Sequence, residues 1–258
     1  MKNVANQSML FKELAEKKLI GIKVSFEDEG ADFVDLLSVK FFCLQYGIDM
    51  TLKIGGPEAI RDLKDANKLH ISSIVAPMVE SKFALEKYVS ACKNFLSHGD
   101  LKLGFNVETI LAAENFKKIA NSSAFDELNS VTVGRGDLVQ SMELGRYDGS
   151  VNSEKLFEIS KNVFETAKVK NKQCMLGGSM TSDSKMFVLN LIEMNLLDKF
   201  ETRNIIIHKD ALNVDSFENL MELAFELEYD QMKIRRTYYE RLFDQDLVRI
   251  KRLSNKYN

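Results

Sequence analysis

Acidic side chains follow two successive strand-like runs of this sequence, at the places where those runs end. Glu108 comes directly after the apolar run 101–107, and Asp137 lies in a glycine-containing turn after the run 130–133. Two carboxylates with open positions beside them suit a hard cation such as Mg²⁺ or Mn²⁺, because such an ion keeps water or substrate oxygens as its other ligands. The alternative is that each carboxylate pairs with a lysine or caps a helix. The spacing alone leaves both interpretations open.

Lys53 ends another strand-like run, residues 50–54, whose side chains should be buried. A buried ammonium group needs an anion, an ion pair or a catalytic role. Composition alone favours a structural ion pair with Glu80 or Glu27.

A third candidate is the turn formed by Gly134, Arg135 and Gly136. Its backbone N–H groups could face an anion, since glycine allows a close approach and the required backbone angles. A tight turn that binds nothing is the alternative, and the sequence does not separate the two.

The three histidines, His70, His98 and His208, are scattered, and none lies at ligand spacing from another histidine or a cysteine. The pattern therefore gives no support to a zinc site. His208 ends a strand-like run, so it is either a general base or, more commonly, a hydrogen-bonded histidine at the rim where strands end. Neither a G-x-S-x-G nucleophile signature nor a nucleotide-binding glycine motif occurs in the sequence.

Seven short apolar runs alternate with longer segments of helical periodicity, which predicts parallel strands joined by helices. The runs are residues 19–26, 50–54, 72–76, 101–107, 130–133, 173–176 and 204–207. Helices are predicted over residues 35–46 and 81–96, and Pro57 is placed in the first turn of another helix. A doubly wound sheet and a closed barrel both satisfy this alternation. The length of 258 residues and the polar residues after the runs favour an α/β protein with a TIM-type (β/α) barrel.

The C-terminal segment 216–253 contains neither glycine nor proline, and apolar residues recur in it at helical spacing. An unbroken helix of that span is about 55 Å long at ~1.5 Å per residue, longer than a barrel is tall. We expect it to break into two helices or to reach a neighbouring subunit as an exchanged arm, so a homo-oligomer is expected. The predicted division is a barrel domain, residues 1–212, followed by a helical extension, residues 213–258.

Composition excludes several classes of protein. With 45% hydrophobic and 28% charged residues, the chain has enough apolar material for one sizeable core. Its net charge of -3 offers no excess of either sign for nucleic acid or an anionic membrane. No apolar run approaches a membrane span, the N-terminal residues lack the hydrophobic centre of a signal peptide, and the cysteines are few and far apart. We expect a cytoplasmic protein with a local functional site.

Five short segments, in their order and spacing, resemble the HpcH/HpaI aldolase/citrate lyase family over about residues 8–208. Residues 26–30, Phe-Glu-Asp-Glu-Gly, are similar to the family's Leu-Glu-Asp-Ala-Val, and Lys53 occupies the place of its strand-terminal arginine. Residues 77–81, Pro-Met-Val-Glu-Ser, resemble its Pro-Met/Lys-Val-Glu-Ser/Thr strand. Residues 107–109, Val-Glu-Thr, resemble its Ile-Glu-Thr, and residues 134–138, Gly-Arg-Gly-Asp-Leu, resemble its Gly-Pro/Ala-x-Asp-Leu.

The resemblance implies a barrel lyase in which Glu108 and Asp137 hold Mg²⁺ or Mn²⁺ and a keto acid such as pyruvate or oxaloacetate chelates the ion. The cation polarises the keto group, and a base removes a proton from the adjacent carbon to give an enolate. Lys53 would neutralise the enolate oxygen. The remaining residues implied to bind substrate are Gly134, Arg135, Gly136, Pro77 and Glu80.

Three departures from the family pattern affect these expectations. Where the aldolase branch has a histidine base, this chain has Asp28, so the base is open between Asp28, Glu27 and a metal-bound water. Lys53 replaces a planar, bidentate arginine with a point charge. The family's first strand should precede the helix at 9–18, where only residues 1–6 remain, so the barrel either lacks that strand or has a vestigial one around Val4.

The resulting expectation is a divalent-metal-dependent carbon–carbon lyase or aldolase that cleaves or forms a 4-hydroxy-2-keto acid, with a keto acid and an aldehyde as its small-molecule partners. One alternative is an acyl-CoA lyase or thioesterase of the same superfamily, acting on an acyl-CoA. Another is a barrel that has lost catalysis and serves as a binding or scaffold subunit through its C-terminal helix.

Overall fold

The computed structural model describes residues 2–26, 29–97, 99–145 and 149–254. The strands are β1 (Ile20–Ser25), β2 (Asp49–Lys53), β3 (Ser73–Ala76), β4 (Lys102–Val107), β5 (Ser130–Gly134), β6 (Gln173–Gly177), β7 (Lys199–Glu201) and β8 (Ile205–His208). The helices are α1 (Lys2–Glu16), α2 (Phe33–Tyr46), α3 (Ile60–Lys68), α4 (Lys82–Phe95), α5 (Ile110–Ala120), α6 (Ser123–Asp126), α7 (Arg135–Ser141), α8 (Glu154–Val169), α9 (Lys185–Glu193) and α10 (Phe217–Ser254).

The strands close into a barrel in sequence order, each hydrogen-bonded to the next and β8 to β1. Strands β1 to β7 run parallel, whereas β8 runs antiparallel to both β7 and β1. The predicted TIM-type barrel with a long C-terminal helix is confirmed, as a mixed rather than an all-parallel barrel.

The reversed strand arises from the short connection between β7 and β8, residues 202–204. A parallel crossover needs a dozen or more residues, so three residues permit only a hairpin. The prediction that residues 204–207 run parallel to the others was therefore wrong. Strand β7 was not predicted, because Phe200 is its only apolar residue and lies between two charged ones.

The barrel does not begin with a vestigial strand. Val4, predicted as a candidate for one, lies in helix α1, which packs Phe11, Leu14 and Ala15 into the core. The first strand is β1, and the strand that brings the barrel to eight is β7, which the sequence did not predict.

Side chains along the strands alternate between an apolar outer face and a polar interior, as the two-residue period of a strand requires. On the outside, Phe105 contacts the rings of Phe116 and Phe125, and Phe200 contacts Phe217. The buried polar strand residues are Ser25, Thr51, Lys53, Asn106, Thr132 and Glu201. This arrangement concentrates hydrogen-bonding and charged groups inside the barrel.

Side-chain caps fix several helix starts next to the barrel rim. Ser81 accepts a hydrogen bond from Ala84 N at the start of α4, and Thr109 accepts one from Ala112 N at the start of α5. Pro57 is not in the first turn of a helix as predicted, because α3 begins three residues later at Ile60.

Helix α10 is continuous over 38 residues, so the predicted break into two helices is wrong. Its first turns belong to the barrel core, where Phe217, Leu220 and Met221 are buried. Within the described residues, none of the helices is long and apolar enough to cross a membrane.

Candidate active site

Glu108 is the centre of the polar rim at the carboxyl ends of the parallel strands. It directly follows β4 and is 1% exposed. The Met78 backbone N–H donates to its Oε1 at 3.0 Å, and the Asn106 side-chain amide donates to its Oε2 at 3.0 Å. Burial raises the pKa of Glu108, against the opposing effects of Lys53, Asn106 and the Met78 N–H, while the charge of Asp137 raises it further. The carboxylate is thus held in a fixed orientation in a poorly solvated place.

Lys53 lies across the barrel interior from Glu108. Its Nζ is 3.7 Å from Glu108 Oε2, and both side chains are almost fully buried. Strand β3 separates their strands, so the two side chains meet inside the barrel. The structure therefore gives Lys53 an ion pair with Glu108. Glu80, one of the two partners predicted for Lys53, accepts a hydrogen bond from Thr109 Oγ1 at 2.7 Å.

The two carboxylates predicted to bind a cation are close enough to interact. Asp137 lies half-buried in the first turn of α7, directly after β5, and its charge acts on the pKa of Glu108. Each carboxylate oxygen has two acceptor positions, and each oxygen of Glu108 uses one for the hydrogen bonds described above. The distance to Lys53 is beyond hydrogen-bond range. The oxygen donor set therefore fits a hard cation such as Mg²⁺ or Mn²⁺ that keeps other ligands of its own.

Larger protein-only metal sites are not formed in the part of the chain that the structure describes. Nowhere there do three or more histidine, cysteine, aspartate or glutamate side chains come together as a possible ligand group. A cation bound at Glu108 and Asp137 would take its remaining ligands from water or substrate.

The turn after β5 lies against the turn after β6. A side chain at Gly178 would place its Cβ 2.3 Å from Gly136 N and 2.6 Å from Arg135 N, and Gly178 has φ +80°. Only glycine fits there, both for its backbone angle and for the close approach. The space next to these two backbone nitrogens is thereby kept free of side-chain atoms. Gly134 is less tightly packed: its Cβ would lie 3.0 Å from Glu108 Cβ and 3.1 Å from Glu108 Oε2.

The Arg135 side chain is fully buried and holds this turn to its neighbours. Its guanidinium group donates to the carbonyls of Gly177 and Val151, to Asn152 Oδ1 and to Ser184 Oγ. Burial lowers the pKa of Arg135 to about 9. The side chain therefore ties its own turn to two other connections, α7–α8 and β6–α9, and only its backbone N–H is a candidate for contact with a ligand.

Pro77 and Glu80 shape the neighbouring loop after β3. Pro77 is buried and precedes Met78, whose positive φ of 53° accompanies the N–H hydrogen bond to Glu108. The Glu80 carboxylate accepts a hydrogen bond from Thr109, and the Glu80 backbone carbonyl accepts one from Asn115 Nδ2 at 3.0 Å. This loop is thus tied both to Glu108 and to the start of α5.

Two polar pairs in the same interior were not predicted. Lys23 of β1 forms an ion pair with Glu201 of β7, and Asn204 donates a hydrogen bond to Glu29. The sequence did contain a signal for Lys23: like Lys53, it is a charged residue inside an apolar strand-like run, here residues 19–26. Glu201 had no such signal, because β7 was not recognised. The predicted base candidates, Glu27 and Asp28, lie outside the described residues.

His208 lies at the opposite end of the barrel from Glu108. Because β8 is reversed, His208 pairs in register with Lys199, the first residue of β7. Its Nδ1 accepts a hydrogen bond from Asp210 N at 3.2 Å. His208 is thus hydrogen-bonded at a strand end, as predicted, but at the opposite rim of the barrel, so the alternative of a general base beside Glu108 is wrong.

Comparisons with known proteins agree with this architecture. The family model described as HpcH/HpaI aldolase/citrate lyase matches residues 53–186, just over half of the chain. No curated protein matches the sequence significantly.

Several solved structures share the fold at low sequence identity. An HpcH/HpaI aldolase/citrate lyase family protein from Burkholderia cenocepacia has a TM-score of 0.60 at 12% identity, covering 89% of this chain and 90% of that one. An HpcH/HpaI aldolase from Desulfitobacterium hafniense has a TM-score of 0.59 at 13% identity, covering 76% and 81%. The citrate synthase SbnG has a TM-score of 0.59 at 12% identity, covering 88% and 89%. At these identities the likeness concerns the fold alone.

Proposed function

The chain belongs to the HpcH/HpaI aldolase/citrate lyase family, and we propose that it is a divalent-metal-dependent carbon–carbon lyase. A lyase or aldolase type of function follows from the family. The finer proposal is that it forms a pyruvate- or oxaloacetate-derived enolate and thereby cleaves or forms a 4-hydroxy-2-keto acid.

One observation carries this proposal. A glutamate carboxylate that is 1% exposed lies at the end of a central strand, with a second carboxylate, Asp137, close enough to raise its pKa. Placing two negative charges together in a poorly solvated site is costly unless a cation is bound there. Lys53 Nζ lies 3.7 Å from Glu108 and offsets part of this negative charge, and a divalent cation shared with Asp137 would stabilise both carboxylates further.

Glu108 and Asp137 would hold Mg²⁺ or Mn²⁺, which when bound stabilises negative charge on the keto oxygen of the substrate. The residues of this chain then have separate tasks. The Asn106 amide and the Met78 N–H keep the Glu108 carboxylate oriented, and Lys53 places a second positive charge near the enolate oxygen.

The substrate carboxylate would bind at the turn after β5, next to the backbone nitrogens of Arg135 and Gly136. Gly178 lies against these nitrogens without a side chain, and the buried Arg135 side chain fixes the turn through hydrogen bonds to the α7–α8 and β6–α9 connections. Pro77 and Glu80 would border the substrate from the loop after β3. Glu27 and Asp28 are the candidate bases for the proton on the carbon next to the keto group.

The first experiment follows enolate formation without any need to know the aldehyde partner. Pyruvate is incubated in D₂O with the protein and Mg²⁺ or Mn²⁺, and the loss of the methyl proton signal is measured by NMR. Enolate formation breaks a methyl C–H bond and returns a deuteron from solvent. We expect exchange with the wild type and a loss of about 100-fold or more in Glu108→Gln, because the cation loses a buried ligand.

The matched control is Glu114→Gln, which removes an exposed carboxylate from helix α5 and should leave the exchange rate unchanged. Equal exchange in wild type and Glu108→Gln would contradict the proposed role of that residue. Absence of exchange in the wild type with either metal would contradict the enolate chemistry, and the chain would then be better described as a binding or scaffold subunit.

A further inference from the structure

Helix α10 carries a stripe of exposed apolar side chains, interrupted by two charged residues, from Phe225 to Ile250. Phe225, Tyr229, Met232, Tyr239, Phe243 and Ile250 are all between 41% and 65% exposed. Arg235 donates to the carbonyls of Glu29 and Gly30 at the barrel surface, and three of these six side chains lie beyond this point. Six large apolar side chains in one line along an exposed helix indicate a surface that binds another helix.

The spacing of the stripe is that of a two-stranded coiled coil. Positions 225, 229, 232, 236, 239, 243, 246 and 250 alternate steps of four and three residues over more than three heptads. Two of these positions are charged, Arg236 and Asp246, and both are exposed. A charge at a seam position usually fixes the register and direction of the partner helix.

The direction follows from these two charges when the partner is a second copy of the same helix. A parallel, in-register pair would place Arg236 against Arg236 and Asp246 against Asp246, which is repulsive at both layers. In an antiparallel pair whose two-fold axis crosses at the level of Arg241, Arg236 of each copy faces Asp246 of the other. Both charges are then satisfied by an opposite charge.

The same register also matches the apolar layers. Tyr239 of one copy then faces Phe243 of the other, and Met232 faces Ile250. A shift by one heptad in either direction would place Asp246 against Phe243 or against Tyr229, so both alternatives leave a carboxylate facing an aromatic ring without a partner charge.

We infer that two copies of this chain associate through an antiparallel coiled coil of their α10 arms, centred near Arg241 and held in register by reciprocal Arg236–Asp246 ion pairs. Arg236 donates through Nε to Glu240 of its own helix at 2.6 Å, which leaves its other guanidinium donors for the second copy. The isologous pairing closes on itself, as expected of a homodimer.

A charge exchange tests both the association and its register. Arg236→Asp and Asp246→Arg each place like charges face to face, so each variant alone should associate at least about tenfold more weakly than the wild type. Mixed together, the two variants present opposite charges at both layers and should recover the wild-type assembly. The double variant Arg236→Asp/Asp246→Arg should recover it as well. Mass in solution is measured over a concentration series.

The matched control is Arg241→Asp, which changes a charge on the outward side of the same helix and should leave the mass unchanged. Thermal unfolding of each variant checks that the barrel remains folded. A wild type that stays at the 29.4 kDa of one chain, single variants of unchanged mass, or a mixture that fails to reassemble would each overturn the inference.

Disulfide trapping gives an independent result for the register. The three native cysteines are buried, so an introduced surface cysteine reacts alone. Tyr239→Cys mixed with Phe243→Cys should form a crosslinked dimer on oxidation, whereas Tyr239→Cys by itself should not. Crosslinking of Tyr239→Cys to itself would indicate a parallel pair and would contradict the antiparallel arrangement.

Discussion

The barrel rim brings the buried Glu108 carboxylate together with the buried Lys53 ammonium group and with the Asp137 carboxylate, and the Met78 N–H donates to Glu108. Sequence position alone predicted burial for Lys53, and it singled out Glu108 because the residue follows a strand. It could not predict that the two meet, because contact across the barrel depends on which strands are two places apart in the closed sheet. Of the two partners predicted from composition, Glu80 binds Thr109 instead, and Glu27 lies outside the described residues.

The Lys53–Glu108 pair leads to a prediction about stability. Lys53→Met leaves the Glu108 carboxylate buried without its counter-charge, which should cost about 3 kcal/mol of unfolding free energy and raise the pKa of Glu108 further. The double variant Lys53→Met/Glu108→Gln removes both charges and should regain most of that loss. Urea unfolding at neutral pH measures the wild type, the two single variants Lys53→Met and Glu108→Gln, and the double variant. Simple additivity of the two single losses would show that the groups do not interact.

At the scale of elements, the sequence predicted seven of the eight strands and most of their helical connections. The exception is the hairpin of β7 and β8, which departs from strict alternation of strand and helix. Its first strand has only three residues, and burial of Phe200 against Phe217 depends on helix α10, which is distant in sequence. Periodicity within a short window carries no such information. Because β8 is reversed, His208 lies at the opposite rim from the one predicted for it.

The reversed strand predicts a pH dependence of stability. Burial, more than any neighbouring charge, lowers the pKa of His208 below 6.5, so the unfolded chain gains its proton at a higher pH than the folded chain. The contribution of His208 to the free energy of unfolding is fully present above pH 6.5 and is lost as the pH falls through the pKa of the folded state. His208→Gln should show a smaller decline in unfolding free energy on acidification. His70→Asn, at an exposed position, is the control, and identical pH profiles for wild type and His208→Gln would refute the prediction.

The close contact of the turns after β5 and β6 leads to a prediction at the same scale. Gly178→Ala adds a Cβ that would lie 2.3 Å from Gly136 N at a positive φ, so the two turns must separate. We expect a fall of several degrees in the melting temperature and a larger proportional loss of pyruvate proton exchange. Gly99→Ala, with nothing within 4 Å of its Cβ, is the matched control. A wild-type exchange rate in Gly178→Ala would contradict the proposal that this turn forms part of the substrate site.

For the whole molecule, the sequence predicted the barrel and a C-terminal helical extension, residues 213–258, that packs on the barrel or on a neighbouring subunit. Phe217, Leu220 and Met221 are part of the barrel core, so the folded unit extends past the predicted boundary at residue 212. The resemblance in short segments to the HpcH/HpaI aldolase/citrate lyase family was confirmed by the family match over residues 53–186. The matched range begins at residue 53 and therefore does not contain the base candidates Glu27 and Asp28.

The most direct measurement is Mn²⁺ binding to the wild type, Glu108→Gln and Asp137→Asn, followed by the paramagnetic resonance signal of the free ion. The account predicts one tightly bound ion per chain in the wild type and at least about tenfold weaker binding in each variant, because each loses a charged oxygen ligand. Glu114→Gln should bind as the wild type does. Equal affinity in all four proteins would contradict a cation shared by Glu108 and Asp137.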